Sequence, residues 1–300
     1  MRILRHIRAL QQEDAPVHLA MGFFDGVHLG HRRVIGVPLP PSVQRGVLTF
    51  ERHPLAQLKP ELQPLLLTPC AAQKEALLAS LGVEVLLCLP FDAALSALSP
   101  ADFLDALVST GRVAGFSVGS NWRFGRGGAG TSRFLTDYAA RRGLPVQVQD
   151  LEERGGVRVS SSLIRRMVAE NRLAEAAELL GRPFTVAGVV EHGQHLARTL
   201  GFPTANITVA QPAALPSYGV YEVQACVDGR RVRGIANLGV RPTIEEERKV
   251  VRLETHFVDF SADLYGKYIE VELWRFLRPE RRFRDVAELR KQIEADLRYL

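Results

Sequence analysis

The texture of this sequence changes at Gly181. Before it, short apolar runs alternate with stretches that open on helix-start signals. After it, glycine and proline separate a series of brief strand-like runs. Strands alternating with helices predict an α/β layout, a mainly parallel sheet with covering helices. Brief successive strands joined by turns predict a small antiparallel β-barrel. No single residue constrains the fold as much as this switch of pattern.

In the first half the strand runs are Val17 to Met21, Val47 to Phe50, Val83 to Leu89, Val113 to Val118 and Val146 to Val148. Thr68-Pro69 and Ser99-Pro100 each place a capping hydroxyl before a proline, the signature of a helix start. The first of these helices is expected to run through Leu81. Further helices are expected over Thr131 to Arg142 and from Ser160 to Leu180, with Gly181 as the stop. In the second half the runs are Phe184 to Val190, Gly219 to Val227, Val232 to Leu238, Val251 to Phe257 and Tyr268 to Phe276. Asp228-Gly229 is a two-residue hairpin turn. Asp285 to Leu300 closes the sequence as an amphipathic helix carrying Val286, Leu289, Ile293 and Leu297. The domain boundary falls near Gly181 to Thr185, dividing the chain into 1–183 and 184–300.

Bulk properties exclude several classes. The formal net charge of +5 suits anionic ligands, but the basic residues are scattered rather than gathered into a nucleic-acid patch. Cys70, Cys88 and Cys226 are odd in number and far apart, so neither a disulfide framework nor a zinc knot is supported. The expectation is a reduced, cytoplasmic protein. The first eight residues are broken by charge and do not read as a signal peptide. The most apolar stretch, Ala76 to Phe91, is interrupted by Ser80, Gly82 and Glu84 and is too short for a membrane span.

Gly22-Phe23-Phe24-Asp25-Gly26-Val27-His28-Leu29-Gly30-His31 follows the first strand run. Strand ends that turn into helices are where α/β folds bind ligands. Positions three apart share a helix face, so His28 and His31 are expected to point at one target. Gly30 leaves room for close approach. A helix start also suits phosphate. Two imidazoles there would steady charge on a phosphate under attack, which is nucleotidyl-transfer chemistry. A chance surface or metal-binding pair is the plain alternative.

Other segments carry weaker signals. Ser160-Ser161-Ser162 with Arg165 is a helix cap beside a solvent arginine, or a second phosphate clamp. Asn121 to Gly128 is a glycine-rich loop, or a place where Asn121 and the neighbouring aromatics meet a planar ring. Leu200 to Asn206 is a proline turn, or a site where Thr204 and Asn206 oxygens hold magnesium. Glu254, inside a strand pattern, is an exposed acid or a general base.

In chain order, Gly22 to His31, Thr49 to Pro54, Gly119 to Gly125, Val159 to Arg165, Gly188 to Gly193, Arg198 to Asn206, Tyr218 to Tyr221, Gly234 to Thr243 and Leu253 to Gly266 resemble the bacterial bifunctional riboflavin kinase/FAD synthetases. The resemblance spans nearly the whole chain. It implies that the second domain uses ATP to phosphorylate riboflavin to FMN, and that the first adenylylates FMN to FAD with release of pyrophosphate. It further implies catalytic roles for His28, His31, Arg165 and Glu254, and magnesium held by Thr204 and Asn206. Nucleotide or flavin contacts are implied for Gly22, Phe23, Asp25, Gly30, His53, Asn121, Phe124, Ser160, Ser161, Ser162, Gly193, Arg198, Gly201, Asn237 and Arg241. The partners would then be ATP, riboflavin, FMN and FAD, without nucleic acid or membrane.

Three departures from the family pattern stand out. Gly36, Pro38, Pro40 and Pro41 cut short the helix after His31. Ala197 replaces a glycine before Arg198. Glu51-Arg52 replaces an acid followed by proline. Two other readings compete: a riboflavin kinase whose N-terminal nucleotide-binding module is degenerate, and a nucleotidyltransferase for another substrate whose barrel is a non-catalytic flavin-binding partner.

Overall fold

The structure, a computed structural model, describes residues 1–59, 61–192, 202–242 and 249–300. Two compact units divide the chain. One comprises Met1–Pro64 with Lys74–Ser161, the other Leu65–Gln73 with Ser162–Leu300. The boundary read near Gly181 to Thr185 lies within the second unit.

The first unit is built on six parallel strands: β1 (Arg2–Leu4), β2 (Val17–Met21), β3 (Gln44–Phe50), β4 (Val85–Leu89), β5 (Val113–Gly119) and β8 (Val146–Gln149). Their order is β1-β4-β3-β2-β5-β8. Two short hairpins, β6 (Arg123–Phe124) with β7 (Gly130–Thr131) and β9 (Glu153–Arg154) with β10 (Val157–Arg158), stand apart from the sheet. Helices α1 (Leu29–Ile35), α2 (Pro54–Leu58), α3 (Ala71–Ser80), α4 (Ala93–Ala97), α5 (Pro100–Val108) and α6 (Ser132–Ala140) lie between the strands in sequence.

Side chains alternate across the sheet, as its pleat requires. Val17, Leu19 and Met21 of β2, Leu48 of β3 and Val85, Leu87 and Leu89 of β4 enter one apolar cluster. Ala20, Val47, Leu86 and Cys88 enter the other. Both faces are therefore covered, which is the usual state of a parallel sheet. Strand order reverses between β2 and β5, since β3 and β4 follow β2 on one side and β5 and β8 lie on the other. Crevices at such reversals, beyond the carboxyl ends of the strands, are where open α/β sheets hold ligands.

His18 of β2 is buried and its Nε2 has no hydrogen-bond partner among the described residues. Gly115 of the neighbouring strand makes room for it, since a Cβ there would lie 3.0 Å from His18 Nδ1. Burial, and secondarily the Arg45 charge, lower its pKa to about 4. The unfolded chain would bind a proton near pH 6.5 that the folded chain refuses. Stability is therefore complete above about pH 6.5 and falls as pH drops toward 4, by about 2–3 kcal/mol. His18→Leu is expected to flatten this acid limb. Thermal melts of both proteins between pH 4 and 7 check it, and an unchanged limb in the variant would refute the assignment.

The second unit holds helices α7 (Ser161–Ala169, from Ser162 onward) and α8 (Leu173–Leu180), a closed barrel, and helix α9 (Val286–Leu297). The barrel strands are β11 (Phe184–Glu191), β12 (Ala205–Thr208), β13 (Gly219–Val227), β14 (Arg230–Pro242), β15 (Lys249–Phe257) and β16 (Tyr268–Pro279). They close in the order β11-β12-β15-β14-β13-β16, with every pairing antiparallel.

Four sequence expectations need correction. β1 and β12 were not anticipated, because three and four residues give too little pattern and both strands are fixed by distant partners. The helix expected from Thr68 begins at Ala71. The single helix expected from Ser160 to Leu180 is two. It breaks at Asn171, whose φ of 58° no helix interior adopts. The Asn171 side chain there accepts bonds from the Ser217 N–H at 3.0 Å and the Tyr221 hydroxyl at 3.1 Å. The early end of α1 agrees with the sequence, with Gly36 as its C-cap donating to the Arg32 carbonyl at 2.7 Å.

Candidate active sites

β2 delivers Gly22–His31 to the crevice where strand order reverses, and β5 delivers Gly119 and Asn121 beside it. His28 is not on the helix face that its spacing suggested. It is the N-cap of α1, and its Nδ1 accepts the His31 N–H at 3.3 Å. An acceptor Nδ1 leaves Nε2 to carry the ring proton and donate. The two rings stack, with centroids 3.5 Å apart and planes 17° from parallel. Phe24 meets His31 edge-on at 5.2 Å. Gly30 serves this stack, because a Cβ would sit 3.3 Å from the His28 ring. Gly22 serves Phe24 in the same way, at 3.0 Å.

The turn that presents the histidines is strained. Phe24, Gly26 and Val27 all have positive φ, at 56°, 81° and 43°. For a β-branched residue such as Val27 this is a true outlier, and strain of this kind persists only where its surroundings impose it. They do so through the turn's carbonyls. The Phe23 carbonyl accepts from Thr49 Oγ1 at 2.9 Å and from Lys74 Nζ at 2.5 Å. The Asp25 carbonyl accepts from the Ser161 hydroxyl at 2.9 Å, and the Val27 carbonyl from Arg32 Nε at 3.4 Å. Asp25 itself is 3% exposed.

The remaining expected residues of this half fall as follows. His53 caps α2 through a 3.1 Å bond from the Leu55 N–H, and its ring meets Phe23 edge-on at 4.5 Å. Asn121 is exposed in the turn after β5. Phe124 is 7% exposed, stacked on Trp122 at 4.4 Å and packed near Phe103 and Phe134. The structure thus gives Phe124 a core role. Ser160 and Ser162 flank the start of α7, and Arg165 is partly buried one turn along it. Sequence reasoning missed Lys74. Its ammonium stands 4.2 Å over the Phe23 ring and donates to Thr49 Oγ1 at 2.8 Å.

In the barrel, Asn206, Glu254 and Asn237 occupy one row across three adjacent strands. Side chains in such a row share a face. With Thr204 they line a cavity of about 250 Å³, whose apolar wall includes Phe202, Phe283, Leu289 and Ile293. A second cavity of about 390 Å³ is lined by Thr204 and Asn206 again, with Phe257, Leu264 and Tyr265. Thr204 and Asn206 therefore border both. The segment carrying them is fixed by the Pro203 carbonyl, 3.0 Å from His256 Nδ1. Asn206 Nδ2 faces the Thr204 carbonyl at 3.3 Å, which turns Oδ1 the other way. Asn237 donates to Glu280 at 2.9 Å. Gly193, Arg198 and Gly201, together with Ala197, lie outside the described residues. Of Arg241 only the backbone is described, in register with Val250.

The donor set suits one kind of metal. Among the described residues no group of three or more His, Cys, Asp or Glu side chains could hold an ion. Two neutral oxygens, Thr204 Oγ1 and Asn206 Oδ1, suit a hard divalent cation that takes most of its ligands from water and phosphate. The residues present fit such a cation.

A sequence model of the riboflavin kinase family matches residues 180–300, and one of the FAD synthetase family matches residues 10–163. A protein of Escherichia coli (strain K12) named bifunctional riboflavin kinase/FMN adenylyltransferase is 38% identical, over 99% of this chain and 96% of its own. Proteins of the same name from Pseudomonas fluorescens and Bacillus subtilis (strain 168) are 37% and 34% identical, over 99% and 96% of this chain and 96% and 92% of theirs. A solved structure described as a macrolide-efflux protein from Streptococcus pneumoniae superposes with a TM-score of 0.82 at 26% identity, over 99% of this chain and 97% of that one. Efflux is that protein's description. Among the described residues here, no helix is long and apolar enough to cross a membrane.

Proposed function

The chain belongs to the bifunctional riboflavin kinase/FMN adenylyltransferases, and from that premise we propose which of its residues perform each half of the work. Both activities are present as domains, so the kinase-only alternative and the non-catalytic barrel have no support. The substrates are ATP, riboflavin and FMN, and the product is FAD. Enzymes of these two ATP-using families generally need a divalent metal. We assign magnesium to that need, FMN adenylylation to 1–183 and riboflavin phosphorylation to 184–300, and the cytoplasm as the compartment.

The observation that carries the kinase assignment is the row Asn206–Glu254–Asn237 opening on a cavity whose polar end adjoins a second cavity. We read the cavity that Glu254 and Asn237 line as the riboflavin site and the other as the ATP site. Thr204 and Asn206, which border both, then stand where the γ-phosphate passes. Glu254 accepts the proton of the ribityl 5′-hydroxyl as that oxygen attacks phosphorus and ADP leaves. Thr204 Oγ1 and Asn206 Oδ1 would hold magnesium, which when bound neutralises charge on the phosphates. Asn237 holds Glu254 company in the row and orients the acceptor side. Gly193, Arg198, Gly201 and Arg241 are assigned to the nucleotide and flavin on the motif alone.

In the other half an FMN phosphate oxygen attacks the α-phosphate of ATP, the bond to the β-phosphate breaks, and pyrophosphate departs. The nucleophile is already ionised, so no strong base is needed. The Nε2–H of His28, the His31 ring and Arg165 stabilise the charge that builds on the α-phosphate. Gly22, Phe23, Asp25, Gly30, His53 and Asn121 shape the pocket, and Ser160 to Ser162 contribute to the phosphate end. Phe124 acts from the core behind it.

Incubating the protein with riboflavin, ATP and magnesium, then separating the flavins, is expected to give FMN followed by FAD. Chelating the metal with EDTA is expected to stop both products, and restoring magnesium to recover them. FMN without FAD would overturn the adenylyl-transfer assignment, and neither product would overturn both.

A further inference from the structure

We propose that Lys74 is a positioning residue for adenylyl transfer, a brace that holds the strained turn before His28 without touching either substrate. The proposal rests on the histidine assignment above. Lys74 lies on α3, far in sequence from the turn, yet its ammonium is committed to it. Nζ donates to the Phe23 carbonyl at 2.5 Å and to Thr49 Oγ1 at 2.8 Å, and Thr49 Oγ1 donates in turn to the same carbonyl at 2.9 Å. The three atoms form a closed triangle. Thr49 is 1% exposed and belongs to β3, the strand beside β2, so one corner of the triangle is anchored in the sheet.

The Phe23 carbonyl is the hinge point of the site. It immediately precedes Phe24, the first residue of the turn with positive φ, and Val27, the last, immediately precedes His28. A non-glycine residue in this region is strained. Two such residues would relax if the turn were free to move. The carbonyl with two charge-assisted or hydroxyl donors is the strongest of the pins that prevent it. The ammonium also stands over the Phe23 ring at 4.2 Å, which ties the side chain to the same anchor.

A lysine is a costly choice at this place. Burial pulls its pKa down to about 8, with the charges of Cys88 and Asp25 opposing that pull. A group kept despite such desolvation, and bonded to the turn that presents the histidines and to the strand residue that holds the same carbonyl, supports a role at that turn rather than in general packing.

The test measures both activities in each preparation. Lys74→Met, which keeps the stem and removes the donors, is expected to lower kcat for FAD formation by about 10–100-fold, the effect of a small misplacement of catalytic groups. KM for ATP should change less than about threefold, and riboflavin phosphorylation should be unaltered. Thr49→Val, which leaves the Lys74–Phe23 bond, should fall between wild type and Lys74→Met. Combining Lys74→Met with His28→Ala should add less than about threefold to His28→Ala alone, because a brace for a missing imidazole has little left to do. A merely structural lysine would instead lower both activities together or give multiplicative losses, and either result overturns the proposal. So would Lys74→Met at the wild-type rate. If His28→Ala alone leaves FAD formation intact, the histidine assignment fails, separately from the brace.

Discussion

His28→Ala is expected to lower FAD formation from FMN by about 10²–10³-fold, the range lost with one donor to a developing oxyanion, and to leave FMN formation from riboflavin unchanged. The alanine variant removes two things at once, since His28 is also the N-cap of α1. Losing a cap costs about 0.5–2 kcal/mol of helix stability. His28→Asn separates them. Asparagine is a good N-cap and can accept the His31 N–H, but it offers no imidazole to stack on His31 at 3.5 Å. If capping is the whole role, His28→Asn recovers most of the FAD rate. If the Nε2–H acts on the α-phosphate, both variants fail alike. Steady-state FAD formation with FMN supplied, alongside the riboflavin kinase rate of each preparation, decides between them. An FAD rate within threefold of wild type in either variant would refute the catalytic role.

The histidine pair shows what the sequence does and does not reveal. The spacing of His28 and His31 announced a shared target, and the chain does bring the rings together. The cause is different from the one the spacing implied. His28 sits outside the helix, and a cap bond with a ring stack joins the pair. Cap geometry depends on φ and ψ at a single residue, which helical periodicity does not encode. The location of the pair was legible for a stronger reason. Apolar runs ending in glycine turns fix the carboxyl ends of parallel strands, and the reversal of strand order between β2 and β5 then places the crevice.

Lys74 was illegible. Within Ala71–Ser80 it reads as one polar position of an ordinary helix. Its meaning appears only when β3 is set beside β2, bringing Thr49 to the Phe23 carbonyl, and that neighbourhood is a property of sheet order. β12 was hidden for the same reason. Pro203 and four strand residues read as a turn, while the pairing of Asn206 with Glu254 comes from the barrel. The break between α7 and α8 left a visible trace in Asn171, a residue that tolerates left-handed backbone, and the apolar stripe on either side of it masked that trace.

Glu254→Gln is expected to lower FMN formation from riboflavin by about 10²–10⁴-fold, the span of a lost general base, while FAD formation from supplied FMN stays at the wild-type rate. Glutamine keeps the length of the side chain and the ladder pairs of β15 with β12 and β14, which use only backbone atoms. The barrel should therefore survive, and thermal melting within a few degrees of wild type would confirm it. The row itself sharpens the prediction. Asn206 and Asn237 stand on either side of Glu254 and carry amides that cannot take up a proton at neutral pH. Glu280, bonded to Asn237 at 2.9 Å, also lines this cavity, as does Asp296, which is paired with Arg278. If Glu280 rather than Glu254 were the base, Glu280→Gln would abolish FMN formation and Glu254→Gln would spare it. A catalytic Glu254 requires the reverse: a near-complete kinase loss in Glu254→Gln, and at most a change in riboflavin KM in Glu280→Gln, because Glu280 bonds the row at Asn237.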